Sequence, residues 1–513
     1  MVFGNLFSTA QPRVFLGAPE AEAEATAQSR VSLIDVYEDY HHLLPELSGE
    51  KFMIVGRKGA GKSAFAEYVC AKSRFEPNLF TQFIRASEFH IEKAIQLGQM
   101  SDATIDSESF FIWLIYTNML RLFSDNSSIQ DDKDYALLRQ FLKKNSGYIN
   151  IKDFEIKGLV EKHGFDVSIE QFQRFFRSTF NRSLEIRSER AAYYKLLPHL
   201  EEVIVKLMSS QAERQNGNSY AVFFDDLDVW FNANNPSSSD SIMSLIRACR
   251  RVNNDVFGKN SISAKVIILI RDDIETYLAS RYADSAKMFS SYSSRINWYQ
   301  DEYVSNPDHE DALNLKKFIN RRILYAFDKA GIPCDNLSPW KCLVDYTLQS
   351  GEKSTFKFIV NQTLFRPRDI LLFFKPLENG SYSFPLVRRD INALVESYAV
   401  ELAKEVKSEL SSFYTDVQVE TIFNALGEIS RTNNHYSYFE ALIIVENNCK
   451  DVIGAELLEY LFDRSIIGTT DSKGWYSFKC RQSVGSSMTV QLDKTQQIVV
   501  QYGIKNYLSR RYL

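Results

Sequence analysis

Phe52-Met53-Ile54-Val55-Gly56-Arg57-Lys58-Gly59-Ala60-Gly61-Lys62-Ser63 is the stretch that decides the fold. A short apolar strand runs into a glycine-rich turn, and the turn runs into a helix through Ala64 to Cys70. The turn fits G-x-x-x-x-G-K-[ST], the spacing of a phosphate-binding loop. Gly56, Gly59 and Gly61 let the backbone bend so that successive N–H groups converge on one hollow and cradle phosphate oxygens. The positive end of the following helix adds attraction for an anion. Lys62 is spaced to reach β- and γ-phosphates, and the Ser63 hydroxyl to ligate Mg²⁺. Gly56, Lys58, Gly59, Ala60, Gly61, Lys62, Ser63 and Ala64 therefore form the expected nucleotide-contacting set, with ATP and Mg²⁺ as cofactors. A glycine turn with a capping serine and no ligand is the competing reading. The order strand, loop, helix argues against it.

Downstream, Tyr220-Ala221-Val222-Phe223-Phe224-Asp225-Asp226-Leu227-Asp228 is an apolar run ending in acid. It has the shape of a strand buried on both faces of a parallel sheet. Asp225 at its end would hold Mg²⁺ through waters, and Asp226 would polarise the attacking water. Asp228 would ligate, cap or face solvent. Ala264 to Asp273 gives a second fully apolar strand with Arg271 at its end. Arg271 reads equally as a nucleotide sensor or as the partner of Asp225, Asp228 or Asp272 in a salt bridge. Arg295, in the serine-rich segment from Phe289 to Trp298, reads as a surface loop arginine rather than one offered to a neighbouring subunit.

Arg366-Pro367-Arg368-Asp369 opens a helix. Proline and aspartate suit a first turn, whereas arginines there oppose the helix dipole, so a nearby anion would explain them. Arg368 is the first choice for a γ-phosphate sensor and Arg366 the second. Pairing with carboxylates of the same helical region is the alternative.

The 513 residues are enough for two to four domains, and the balance of 45% apolar and 24% charged residues is that of a globular protein. A net charge of −5 gives no support to wholesale nucleic-acid coating. Six scattered cysteines without C-x-x-C read as reduced, mostly buried thiols of a cytoplasmic protein. No zinc spacing is present. The start Met1–Phe7 lacks signal-peptide features, and the apolar run from Phe110 to Tyr116 is too short to span a bilayer.

Residues 1–48 read as an amino-terminal arm and a helix over Val31 to Leu44. Residues 49–300 read as a nucleotide-binding core with a helical insertion at about 88–215. Residues 301–413 read as a helical lid. Residues 414–513 show three helices and a strand pair around Thr470 to Gly474, the outline of a winged helix. That segment carries 10 Lys/Arg against 11 Asp/Glu, a net of −1. Phosphate neutralisation needs a positive face, so docking to protein is favoured over reading DNA.

The combination of VGRKGAGKS, FFDDLD, IILIRDD and FRPRDILLFF resembles bacterial P-loop ATPases near the STAND and origin-recognition branches of the AAA+ group. FLGAPEAEAEA before the loop is similar to their amino-terminal arm. The resemblance touches nearly the whole chain outside residues 88–215. It implies an α/β fold of the ASCE type: a parallel-sheet core, a helical lid and a carboxyl-terminal winged helix. It further implies a nucleotide-controlled assembly switch, a homo-oligomer, and a setting in antiphage defence. Asp226 stands where Glu is common, which implies slow turnover. No nuclease or TIR effector is visible, so an effector would be a separate protein. A DNA-binding initiator or loader, and a structural subunit that holds ATP with little turnover, are the alternatives to a regulatory ATPase.

Overall fold

The computed structural model describes residues 13–86, 107–126, 133–146, 166–186, 190–233, 235–300, 307–379, 382–431, 435–481 and 491–511. The start of the chain and much of the insertion between 87 and 165 lie outside the described residues. The chain divides into two compact units. The first comprises Met1–Tyr40, Lys58–Ala64 and Ile296–Leu513, and the second His41–Arg57 and Phe65–Arg295.

The second unit is built on a sheet. Its strands are β1 (Met53–Gly56), β2 (Leu79–Arg85), β5 (Ser219–Asp225), β6 (Ala264–Arg271) and β7 (Ser293–Ile296), in the order β2-β5-β6-β1-β7. A separate antiparallel pair, β3 (Asp166–Ser168) and β4 (Arg190–Ala192), lies in the insertion. The helical reading of the insertion did not include that short pair. β2, β5, β6 and β1 run parallel, in registers that pair Arg85 with Asp225, Phe224 with Ile268 and Gly56 with Arg271. Met53, Ile54, Val222, Phe223, Val266 and Ile268 are fully buried, as continuous apolar strands of a covered parallel sheet should be.

Helices cover this sheet. Phe65, on the helix Lys62–Lys72, meets Phe223 edge-on with ring centroids 6.2 Å apart. In the insertion, the helix Ser107–Ser124 packs against β5 and against the helices Tyr193–Met208 and Pro236–Arg251. Tyr116 on it donates to Glu201 at 2.6 Å. The helix Pro236–Arg251 passes into a π-helical turn, Val252–Gly258. There the Asn253 amide accepts from the Val266 N–H and donates to the Val266 carbonyl, each at 2.8 Å. One side chain thus satisfies a buried strand backbone and fixes the helix against β6.

The first unit holds the amino-terminal arm and the carboxyl-terminal half. Glu24, at the end of the short helix Ala21–Glu24, pairs with Arg322 at 2.6 and 2.7 Å, and Arg322 also donates to the Leu16 carbonyl at 3.0 Å. A side chain at Gly17 would run into Arg322 Nη1 at 1.9 Å, and its φ of +131° also requires glycine. The single helix expected over Val31 to Leu44 is replaced by two short ones, Leu33–Val36 and Leu43–Ser48. The Asp35 carbonyl accepts from Arg321 and the Tyr40 carbonyl from Asn314, so side chains of the helix Asn314–Ala330 take groups that a continuous helix would use internally.

Farther on come the helices Thr355–Asn361, Pro367–Phe374, Arg388–Leu410, Asp416–Ser430, Tyr438–Asn448 and Gly454–Asp463. The first of these is absent from the sequence reading. Before them lies a short helix, Pro339–Leu343. A small antiparallel sheet closes the unit: β8 (Tyr436–Ser437), β9 (Ile467–Thr470), β10 (Tyr476–Ser477) and β11 (Gln497–Val500), in the order β10-β9-β11-β8. The helix Tyr502–Arg511 packs back on Arg388–Leu410.

Candidate functional site

The loop between β1 and the helix Lys62–Lys72 is the centre of the site. Gly59 has φ +76° and Gly61 φ +101°, conformations that side-chain-bearing residues rarely adopt. Two loop carbonyls are held by long side chains of the first unit. Arg366 Nη1 donates to the Lys58 carbonyl at 2.8 Å, and Trp298 Nε1 donates to the Ala60 carbonyl at 2.8 Å. A trans peptide sends its C=O and N–H in opposite directions. The Lys58 carbonyl shares its peptide with the Gly59 N–H, and the Ala60 carbonyl with the Gly61 N–H. Holding the carbonyls therefore aims these two amides away from Arg366 and Trp298. An atom added at Gly61 would meet nothing within 4 Å, so that side of the loop is open. This is the geometry of an anion nest.

Trp298 is buried, and its ring meets Tyr40 and Phe318 edge-on with centroids 5.6 and 5.7 Å away. Sequence reading missed its role. Its only signal was an isolated tryptophan at the end of a serine-rich segment.

Arg366 follows Phe365, whose φ of +59° is a true outlier for a bulky residue. The turn is held from several sides. Leu364 N–H donates to Asp369 Oδ2 at 3.1 Å, Phe365 N–H to Thr363 Oγ1 at 3.1 Å, and Gln501 Nε2 to the Thr363 carbonyl at 3.0 Å. The Arg366 guanidinium grips both oxygens of Asp369 at 2.9 and 2.7 Å and reaches Glu405 at 3.1 Å and Glu409 at 3.7 Å. Burial works against its charge, yet Asp369 and Glu405 hold its pKa well above the usual arginine value. Burial and the Asp369 carboxylate push the Tyr398 hydroxyl up as well. The pairing with carboxylates of its own region, one of the two readings from sequence, is what the structure shows for Arg366.

Arg368 differs. An atom added at Gly59 would lie 3.0 Å from both its Cβ and its Cδ, so its stem lies along the loop. Its head is a quarter exposed and loosely held, 3.4 Å from Glu20 of the arm and 3.8 Å from Glu405. Its Nε is buried without a hydrogen-bond partner.

The acidic residues belong to the second unit. Because β1, β6 and β5 are parallel neighbours, Gly56, Arg271 and Asp225 all end at the carboxyl edge of one sheet, where open α/β sheets bind ligands. β6 is the additional strand expected beside the loop-bearing strand. Asp225 is buried, and Asp226 has φ +59° at the start of a 3₁₀ turn, Leu227–Val229. Aspartate tolerates that conformation better than most residues, and such strain clusters at functional sites. Arg271 donates to Asp228 at 3.1 Å and grips Asp273 at 3.1 and 2.6 Å. The sequence offered Asp225, Asp228 or Asp272 as its partners. Asp228 is found, and Asp273, one residue further into the helix Asp272–Arg281, is gripped as well. Arg295 lies on β7 rather than in a loop, half exposed and paired with Glu275 at 2.8 Å.

Among the described residues no group of three or more His, Cys, Asp or Glu could hold a metal. A loop of this kind does not need one. Mg²⁺ in a P-loop site takes a hydroxyl, a carboxylate, waters and the nucleotide's own phosphates. All six cysteines are reduced thiols, with Cys249, Cys449 and Cys480 buried. No helix among the described residues is long and apolar enough to cross a membrane.

No protein-family model matches the sequence, and no curated protein is detectably similar to it. Among solved structures, that of the Aeropyrum pernix ORC2 protein (ADPNP-ADP complexes) is similar over 99% of this chain and 98% of that one, at 10% identity and a TM-score of 0.31. A likeness that loose carries no argument about the site.

Proposed function

We propose that this chain is an ATP-binding, Mg²⁺-dependent P-loop ATPase of the ASCE and AAA+ kind, whose nucleotide state governs self-association and docking to a separate partner protein. The observation that carries the reading is the loop of residues 56–63. Its motif, its two positive-φ glycines and its two pinned carbonyls together make an amide nest behind a parallel strand.

Lys62 is assigned to the β- and γ-phosphates, Ser63 and Asp225 to Mg²⁺, and Asp226 to the attacking water. Bound Mg²⁺ supplies charge neutralisation on the phosphates. Arg368, loosely held beside Gly59, is assigned to sensing the γ-phosphate. Arg366 is assigned to positioning the loop, and Arg271 to ordering the acids at the sheet edge. Residues 301–413 act as the lid and residues 414–513 as a winged helix that docks protein.

The test is ATP binding and phosphate release by the full chain. Asp226→Asn should keep ATP affinity and lower release at least about a hundredfold, the usual worth of a group that handles the nucleophile's proton. Undiminished release in Asp226→Asn would overturn the assignment of that residue.

A further inference from the structure

A second recess lies wholly within the first unit. It is a cleft of about 730 Å³ between the helix Thr355–Asn361 with its preceding loop and the turn leading into β10, with the start of the last helix beside it. That volume is in the range of small-molecule sites. Three of its lining side chains are cations, Lys353, Lys357 and Arg481, and one is a carboxylate, Glu352. Glu352 is already engaged by Arg388 and by the Gln349 N–H. The cations bear on one another. Burial first, then the charges of Lys353 and Arg481, push the Lys357 ammonium below its usual range, and the carboxylate of Glu310 opposes them only in part.

Lys353 makes no ion pair among the described residues. Arg481 donates one bond, to Asn361 at 3.1 Å, lies against Phe365 and Phe478, and keeps a buried Nε without a partner. The rest of the lining is aromatic, notably Trp475, Tyr476, Phe358 and Tyr502. Trp475 is 68% exposed, an unusual position for the largest apolar side chain.

Clustered like charges repel unless an anion sits among them, and exposed rings beside cations offer a stacking surface for a flat ring. The geometry points to a binding site for a small phosphorylated aromatic ligand, a mononucleotide in chemical class, held by Lys353, Lys357 and Arg481 at its phosphate and by Trp475 at its ring. A long nucleic acid fits less well, because the 414–513 segment has a net charge of −1 and so offers no surplus of positive charge along which a backbone could run. The site is separate from the phosphate loop and does not depend on the function proposed for that loop.

The experiment uses the full chain carrying Lys62→Ala, so that the loop contributes no nucleotide binding. AMP and GMP are titrated while tryptophan fluorescence and heat are followed, with adenosine, inorganic pyrophosphate and a twelve-residue oligothymidylate (about the upper range of a single-strand site) as comparison probes. AMP or GMP should bind and quench fluorescence, and adenosine should not bind. Trp475→Phe should abolish the quench. Lys353→Glu, at the exposed lip, and Lys357→Gln, half-buried and close in size to the lysine, should each weaken binding roughly tenfold or more with unchanged circular dichroism. Failure of both mononucleotides to bind would overturn the proposal. So would equal binding by the two lysine variants, or binding of the oligothymidylate alone.

Discussion

Arg366 in the first unit and Arg271 in the second are both held by carboxylates, yet their settings differ. Arg366 is 3% exposed, its partner Asp369 is fully buried, and Glu405 and Glu409 are nearly so. Arg271 is 11% exposed and one of its partners, Asp228, is 35% exposed. Arg366 also donates to the Lys58 backbone carbonyl, while Arg271 donates to the carboxylates of Asp228 and Asp273. The first arginine is a structural strut whose loss leaves buried charges behind. The second joins a buried acid, Asp273, to one that water can still reach, Asp228. The contrast teaches that an arginine at a helix start can answer to a protein anion rather than to a bound one.

The largest expected effect tests that contrast. Arg366→Ala should cost about 3–5 kcal/mol of stability, because Asp369 is left charged and buried. Arg271→Ala should cost less, about 1.5–3 kcal/mol, the worth of hydrogen bonds to charged groups. Denaturant unfolding of both variants measures this, and equal losses would break the comparison.

Gly59→Ala comes next. It forces a side chain into φ +76° and against Arg368, at about 1–2 kcal/mol. The same change should weaken ATP binding, read by calorimetry, since the amide of residue 59 belongs to the nest. Trp298→Phe should have the smallest effect, about 1 kcal/mol, because it keeps the packing and removes one hydrogen bond to the loop. A stability loss with no change in ATP affinity would show that this bond does not orient the loop.

Much of the sheet was legible in sequence. β1, β5 and β6 are unbroken apolar runs ending in glycine, acid or arginine, and such runs have few other homes. The glycine turn at residues 56–63 was legible because its motif fixes backbone shape as well as residue type. β7 was not, since its sequence, Ser293-Ser294-Arg295-Ile296, has a loop's composition, and it becomes a strand by lying at the sheet edge beside β1. The break between Val36 and Leu43 was hidden for the same reason: Arg321 and Asn314, almost three hundred residues away, take the carbonyls. Local pattern named Arg366 and Arg368 as candidates together. Only tertiary structure separates the buried strut from the loosely held neighbour.

The account rests on the loop around Gly59 and Gly61 holding a triphosphate. Calorimetric titration of ATP with Mg²⁺ into the full chain and into Lys62→Ala, with circular dichroism confirming that both are folded, tests it directly. The account predicts saturable one-to-one binding that Lys62→Ala removes. Equal affinity in the two proteins, or no binding by the unmodified chain, would contradict it.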